Sequence, residues 1–378
     1  MNSAMPLRRI VAGTVAICGC GAALSCAQAQ VPPPPGPPQV ATAGVDEQIA
    51  VIERLANHER AKWTDVHTWR GRLEVTDVEC YFGARREQLL ANLGRDAAQF
   101  PAEFKKILRG TVDFRLDRDS AALFTRFATE AVGVVGLEDG ADTGIHPAPF
   151  EQLAIVTPGE YLHFEPGVAY AQPGGTRARV AFREPAAEAR RQQMGTLVDP
   201  RGLMGYGRPT WENLQLIADA LRAAGALRVG DAELTVWTDA AETIIIMPGQ
   251  AGQDRLVFQQ MKFVGDNLTD LSMYDAAGRV YQHVTWTYPA GGGADRATAM
   301  EFQTMSADGT RIAFQRTLRL VDSALNAPVG DTTFTRANLG LTEDDLYVDR
   351  IAGTLSRLRD GGLIALPAEQ ATAWLAAE

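Results

Sequence analysis

Seven short segments of alternating apolar and polar residues follow one another within residues 233–321. The pattern is clear in the fifth segment, where Val280, Val284 and Trp286 fall on one side of an extended chain. Turn-forming pairs such as Asp308-Gly309 separate most of the segments. One apolar and one polar face is typical of antiparallel strands that cover a core on one side. The sequence therefore predicts a long antiparallel meander.

Helical segments accompany the predicted strands. Residues 46–62 and 210–225 carry apolar side chains at helical spacing. We also predict helix over 85–108, broken at Pro101, and over 342–358, where acidic residues come first and arginines last. A long sheet buries one face against such helices. The predicted fold class is therefore α+β, with a strongly curved antiparallel β-sheet wrapped around helices and extra helices at the C-terminus.

The N-terminus has the order of a secretory signal. Two arginines precede an uncharged run over residues 10–24 and small residues that end at Ala29. The uncharged run is shorter than the roughly 20 residues that a membrane-spanning helix needs. We therefore predict a signal peptide over residues 1–29, followed by a Pro-rich linker over 30–45 that favours an extended spacer.

The four cysteines bear on how the chain is processed and held together. Cys26 and Cys20 each follow small residues that fit part of the bacterial lipidation pattern, so a lipid anchor near the membrane is the alternative to signal cleavage. Cys80 alone follows the signal and cannot form an internal disulfide. The core must therefore hold the folded domain, predicted over 46–340, which precedes a helical segment over 341–378.

Composition and motifs exclude several function classes. The chain has 36 Lys and Arg against 46 Asp and Glu, a formal net charge of −10, which argues against nucleic acid as a partner. The sequence lacks the H-E-x-x-H, G-x-S-x-G, P-loop and EF-hand patterns. We therefore predict no cofactor, no metal and no catalytic residue. A secreted hydrolase that uses Cys80 or a carboxylate pair is a further alternative.

Large apolar side chains stand out along the predicted strands. They form either an ordinary core or the lining of a cavity for an apolar ligand, which curved sheets often enclose. The candidate ligand-binding residues are Phe114, Phe124, Phe164, Trp237, Phe258, Met273, Trp286, Phe302 and Phe314.

Several stretches together resemble a known group. They are residues 69–73 (WRGRL), 268–279 (LTDLSMYDAAGR), 306–311 (SADGTR) and 321–326 (VDSALN), with Phe334 shortly after. In strand order and turn chemistry the chain is similar to the periplasmic lipoprotein-carrier superfamily, the LolA/LolB-like fold. The resemblance implies an incomplete antiparallel barrel that wraps a helix and holds acyl chains.

The function that this resemblance implies is binding without catalysis. We expect an exported protein of the periplasm or cell envelope, or otherwise a secreted one, that binds a lipid, an acyl chain or a lipidated protein on its apolar concave face. The alternative is a structural or protein-interaction protein of the envelope whose own side chains fill the cavity. The segments over 85–108 and 185–225 and the predicted C-terminal helices either cap that cavity or fill it. The sequence leaves the ligand and the oligomeric state open.

Overall fold

The computed structural model describes residues 44–375 apart from 93, 95–97, 99, 146, 172–176, 189–197, 207, 230–231, 240, 249–257, 290–295 and 331. The predicted signal peptide and nearly all of the predicted linker lie outside the described residues. The described helices are α1 Val45–Ala61, α2 Gly83–Asn92, α3 Thr210–Ala224 and α4 Ala368–Leu375.

About half of the described chain is β-strand. The strands are β1 Thr68–Tyr81, β2 Phe104–Asp117, β3 Ala122–Gly136, β4 Glu151–Val156, β5 Glu160–Ala171, β6 Arg177–Pro185, β7 Arg228–Val229, β8 Ala232–Glu233, β9 Thr235–Thr238, β10 Glu242–Pro248, β11 Phe258–Val264, β12 Asn267–Tyr274, β13 Val280–Thr287, β14 Ala299–Met305, β15 Ile312–Leu325, β16 Leu346–Asp349, β17 Thr354–Arg359 and β18 Gly362–Ala365.

In the part of the chain that the structure describes, sixteen strands form one curved, unclosed sheet in the order β18-β17-β16-β6-β5-β4-β3-β2-β1-β15-β14-β13-β12-β11-β10-β9. Every neighbouring pair is antiparallel except β6 and β16, which run parallel. Strands β9 and β18 are the free edges. Sequence neighbours pair throughout the meander from β9 to β15, as the turn signals predicted. The α+β incomplete barrel predicted from the sequence is confirmed.

Two helices lie against one face of the sheet, called here the inner face. Helices α1 and α3 pack together, and their buried apolar side chains share one core with strand residues such as Leu73 and Val112. In β1 the inner face takes alternate residues from Trp69 to Tyr81, as the two-residue period of a strand requires. The opposite side of the sheet is the outer face. Both helices were predicted from spacing, and α3 ends at Gly225, whose φ of 69° suits a helix C-terminus.

The helix predicted over residues 85–108 is only partly correct. Helix α2 ends at Asn92, and β2 begins at Phe104. Phe104 and Leu108 are buried side chains of a strand that pairs with β1 along its whole length. The apolar spacing in this segment fits a strand as well as a helix, and pairing with β1 decided the outcome.

The helix predicted over residues 342–358 is wrong, because this segment forms β16 and β17. Leu346 and Leu355 are buried against Val180 and Phe182 of β6. The two strands meet at a turn in which Gly353 has a φ of 68°, a conformation that glycine adopts at little cost. Burial against a strand distant in sequence has overridden the local charge pattern.

Ion pairs also connect β6 to the C-terminal segment that contains β16 and β17. The Arg179 guanidinium binds Asp345 through two contacts of 2.8 and 2.6 Å, and Arg183 Nη1 lies 2.8 Å from Asp349 Oδ2. Asp345, one of the acidic residues that favoured a helix start in the sequence, therefore pairs with an arginine of a neighbouring strand.

Candidate functional site

One part of the inner face is filled by the chain itself. Trp286 of β13 is 5 % exposed, and its indole Nε1 donates a hydrogen bond of 2.9 Å to the carbonyl oxygen of Gly202. Its cross-strand neighbour Met300 also lies against Gly202. Leu203 and Met204 continue this short 3-10 turn and are buried in the same core. The segment before α3 therefore occupies the space that a ligand would need beside β13 and β14.

Five of the nine predicted ligand-binding residues belong to the main core. Phe114, Met273, Trp286 and Phe302 are buried there, and Phe314 packs against it from a partly exposed position. The Phe114 ring contacts Trp69 edge to face at 4.7 Å between centroids. These contacts make the first four ordinary core residues and leave Phe314 at an opening.

The other four predicted residues lie elsewhere. Phe124 and Phe164 are buried on the outer face in a second cluster, which the segment around Leu339 covers. Phe258 stacks on Tyr274 at 4.3 Å in a small separate cluster. Trp237 pairs with Ile244 near the β9 edge, next to Val236, which faces the main core. The structure therefore does not bring the nine side chains together in one site.

An open cavity of about 520 Å³ lies on the inner face beside the filled part. It is bounded by β1, β2, β3, β5, β14 and β15, and a loop before β4 covers it. Of the nine predicted residues, only Phe314 lines it. The other apolar lining includes Leu108, Phe127, Val132, Phe150 and Val168.

Sequence reasoning missed these lining residues. The prediction chose large apolar side chains on strands, whereas Leu108, Val132 and Val168 are smaller aliphatic residues and Phe150 lies outside any strand. Phe127 of β3 fits the criterion and was missed. The available signal was the alternation along β2 and β3, where Leu108 and Val132 are cross-strand partners.

Charged side chains stand among the apolar ones. Asp77 of β1 receives two hydrogen bonds, of 2.8 and 2.7 Å, from Arg316 of β15, and both side chains are almost fully buried. Arg85 Nη2 lies 2.5 Å from Glu79 Oε1. Lys106 is opposite Glu79 in the register of β1 and β2, and it also lines the cavity. Glu165 is a third carboxylate in the lining, so the cavity combines an apolar wall with charged groups of both signs.

The covering loop is fixed to the sheet at a bulge. The register of β2 and β3 shifts next to Gly110, where an added side chain would collide with the carbonyl oxygen of Ala128. The Phe150 backbone N–H donates to Thr129 Oγ1 at 2.6 Å, and the Thr129 N–H donates to the Phe150 carbonyl at 2.9 Å. Pro147 and Pro149 restrict the rest of the loop. The cover is therefore held in place by backbone contacts.

Several titratable groups in the described residues are buried or have close polar partners. Among the described residues, no three His, Cys, Asp or Glu side chains are grouped so that they could hold a metal, and Cys80 is buried. His283 Nε2 lies 2.7 Å from Asp270, and the Ser272 hydroxyl donates to the same carboxylate at 3.1 Å. In a nucleophile triad the imidazole accepts the hydroxyl proton, so this order differs from one. Burial, with the Glu79 charge, raises the pKa of Tyr81 and keeps its phenol neutral.

Within the described residues, every helix is too short or too polar to cross a bilayer.

The architecture belongs to the class of open, curved β-sheets that enclose helices. Here the sheet surrounds two helices and leaves a cavity at one side. Comparison with solved structures gives matches of low similarity. A DUF1329 family protein from Desulfovibrio piger is 9% identical in sequence and has a TM-score of 0.34. The match covers 77% of this chain and 98% of the D. piger chain.

A LolA superfamily protein from Nitrosomonas europaea has 11% identity and a TM-score of 0.34, covering 79% of this chain and 100% of its own. An outer membrane lipoprotein-sorting protein domain from Vibrio parahaemolyticus has 9% identity and a TM-score of 0.32, covering 77% and 99%. These structures fit the remote resemblance predicted from the sequence, and at such scores they carry no argument about function. No protein-family model and no curated protein matches the chain.

Proposed function

We propose that this protein is an exported protein of the cell envelope that holds the apolar chain of a lipid or of a lipidated partner in the inner cavity, without catalysis. The cavity carries the proposal, because it stays open beside a core that is otherwise filled. Its volume of about 520 Å³ lies within the range of small-molecule sites. The N-terminal secretory pattern supports the location.

The lining suits an amphiphile better than a purely apolar molecule. An alkyl chain placed against Leu108, Val132 and Phe314 would leave water, which contributes about 0.8 kcal/mol for each buried CH₂. A charged or polar head would meet Lys106 and Arg85 at the same cavity. The carboxylates of Asp77, Glu79 and Glu165 line the same cavity, so an acyl chain with a polar head matches both parts of the lining.

A second candidate function is a structural or protein-interaction role with a self-filled core. The burial of Trp286 beneath Gly202 favours this role, because the chain's own side chains already occupy one part of the inner face. The two candidates differ in whether the remaining cavity takes a ligand.

The test is native mass spectrometry of protein purified from an exporting host, followed by titration with palmitate. The variant Val132→Trp places an indole in the cavity, and Val135→Trp, a partly buried residue on the other face of the same strand, is the matched control. We expect a lipid-sized mass on the wild-type protein, and palmitate binding at least about tenfold weaker in Val132→Trp alone. A folded wild-type protein that carries no lipid and takes up no palmitate would move the assignment to the structural role.

A further inference from the structure

A second, larger cavity opens on the outer face of the sheet. It measures about 950 Å³ and lies over β1, β2, β3 and β15. The segment between β15 and β16 forms one wall, where Leu339 is fully buried beside Phe124. We call this cavity the outer groove. Its lining is rich in arginine: Arg70, Arg72, Arg115 and Arg126.

Strand geometry brings these arginines together. Arg70 and Arg72 flank Gly71 in β1, and the two-residue period of a strand turns both to the outer face. Arg115 of β2 lies directly opposite Arg70 in the register, and Arg126 of β3 lies opposite a β2 residue that is itself the partner of Arg72. All four side chains are on exposed residues in a chain whose net charge is −10.

Two of the four arginines already have carboxylate partners. Arg72 Nε donates to Asp113 at 2.7 Å, and Arg126 Nε donates to Glu151 at 2.5 Å. The third acid of the groove, Asp322, lies opposite Arg72 in the register of β1 and β15.

The other two arginines form a like-charge pair. Within the described residues, neither Arg70 nor Arg115 makes an ion pair, although the Arg115 guanidinium lies 5.8 Å from the centre of the Phe124 ring. Like charges directly opposite each other on neighbouring strands destabilise a sheet. A shared anion between the two guanidinium groups would remove that repulsion and use their fixed donor geometry.

We propose that Arg70 and Arg115 bind the phosphate group of a phosphate ester in the outer groove. Guanidinium groups stay charged at any physiological pH and match phosphate oxygens with paired N–H donors. The Phe124 ring beneath Arg115 limits the directions that this side chain can take. The groove volume exceeds that of phosphate alone, so the remainder of the ester lies along the wall near Leu339. This site is separate from the inner cavity and does not depend on the ligand proposed there.

Calorimetric titration with inorganic phosphate and with glycerol 3-phosphate tests the proposal. The double variant Arg70→Gln/Arg115→Gln should bind both at least about tenfold more weakly than the wild type, because each charged hydrogen-bond donor is lost. The control Arg109→Gln/Arg319→Gln removes two exposed outer-face arginines away from the groove and should bind as the wild type does. Glycerol 3-phosphate should raise the unfolding temperature of wild type and control only.

The wild type failing to bind either compound, or the groove variant binding both as tightly as the control, would overturn the proposal. The two sources of a phosphate ester are separated by vesicles of phosphatidylglycerol mixed with phosphatidylcholine. Arginine-dependent capture by these vesicles assigns a lipid head group, and arginine-dependent binding of glycerol 3-phosphate without capture assigns a soluble ester. Because the double variant removes a like-charge pair, it should unfold at or above the wild-type temperature, so lost binding cannot be ascribed to unfolding.

Discussion

Replacing Trp286 by alanine tests whether the filled part of the inner face contributes to folding stability rather than to ligand binding. Trp286 is 5 % exposed and donates a hydrogen bond of 2.9 Å to Gly202. Removing a buried tryptophan costs about 3–5 kcal/mol of folding free energy. Loss of the hydrogen bond adds about 1 kcal/mol, because the Gly202 carbonyl loses its donor. We therefore expect Trp286→Ala to lower the free energy of unfolding by about 4–6 kcal/mol.

Phe314→Ala is the matched comparison on the open side. The Phe314 ring is only partly buried and has one side toward the cavity, so its removal should cost about 1.5 kcal/mol of folding free energy. The same substitution should weaken palmitate binding, because it removes part of the apolar wall. Trp286→Ala should leave binding to the folded fraction unchanged.

Urea unfolding followed by far-UV circular dichroism suits the measurement, since the chain contains 6 tryptophans and their fluorescence would report several sites at once. A Trp286→Ala protein that loses less than about 1 kcal/mol of stability yet no longer binds palmitate would refute the reasoning. It would show that the ligand lies beside Trp286 and that the Gly202 turn moves aside.

Two further predictions concern buried charges. Replacing Asp77 alone by leucine should cost about 3–5 kcal/mol of folding free energy, because the buried Arg316 guanidinium loses the carboxylate that it binds. The double variant Asp77→Leu/Arg316→Met should regain most of that loss in urea unfolding. An equally unstable double variant would contradict this account. Burial raises the pKa of Asp349, but the N–H groups of Ala352 and Ile351 and the Arg183 guanidinium outweigh it and hold this pKa below its ordinary value. A lowered folded-state pKa stabilises the fold above the unfolded-state pKa of about 3.9, and this stabilisation is lost as the pH falls through the folded-state value. The stability difference between wild type and Asp349→Asn should therefore be largest above about pH 5 and shrink below about pH 4, and a difference that does not change with pH would argue against the role of this carboxylate.

The meander and the two inner helices could be predicted because their signals are local. Alternation in segments such as β13, with turn residues between them, selects antiparallel neighbours without knowledge of distant contacts. The spacing in α1 and the Gly225 stop in α3 act within a few turns of helix. The structure confirms these elements at nearly the predicted bounds.

The candidate site was less accessible to sequence reasoning, because strand register decides which face a side chain occupies. Phe114 lies opposite Thr125, and Phe124 lies opposite Arg115, so the two phenylalanines of neighbouring strands point to opposite faces. A shift of one residue would reverse that result. Phe164 shares the outer face with Phe124 for the same reason.

The sequence by itself determined the antiparallel meander, helices α1 and α3, and the large apolar content that the core requires. Only the tertiary structure decided that the C-terminal segment forms strands, since Leu346 gains its burial from Val180, far away in the chain. It also decided that the turn at Gly202 fills one part of the inner face and that Arg70 stands opposite Arg115. The physical reason is common to all three: local pattern fixes the type of an element, whereas burial, open space and charge proximity depend on which distant residues the fold places beside it.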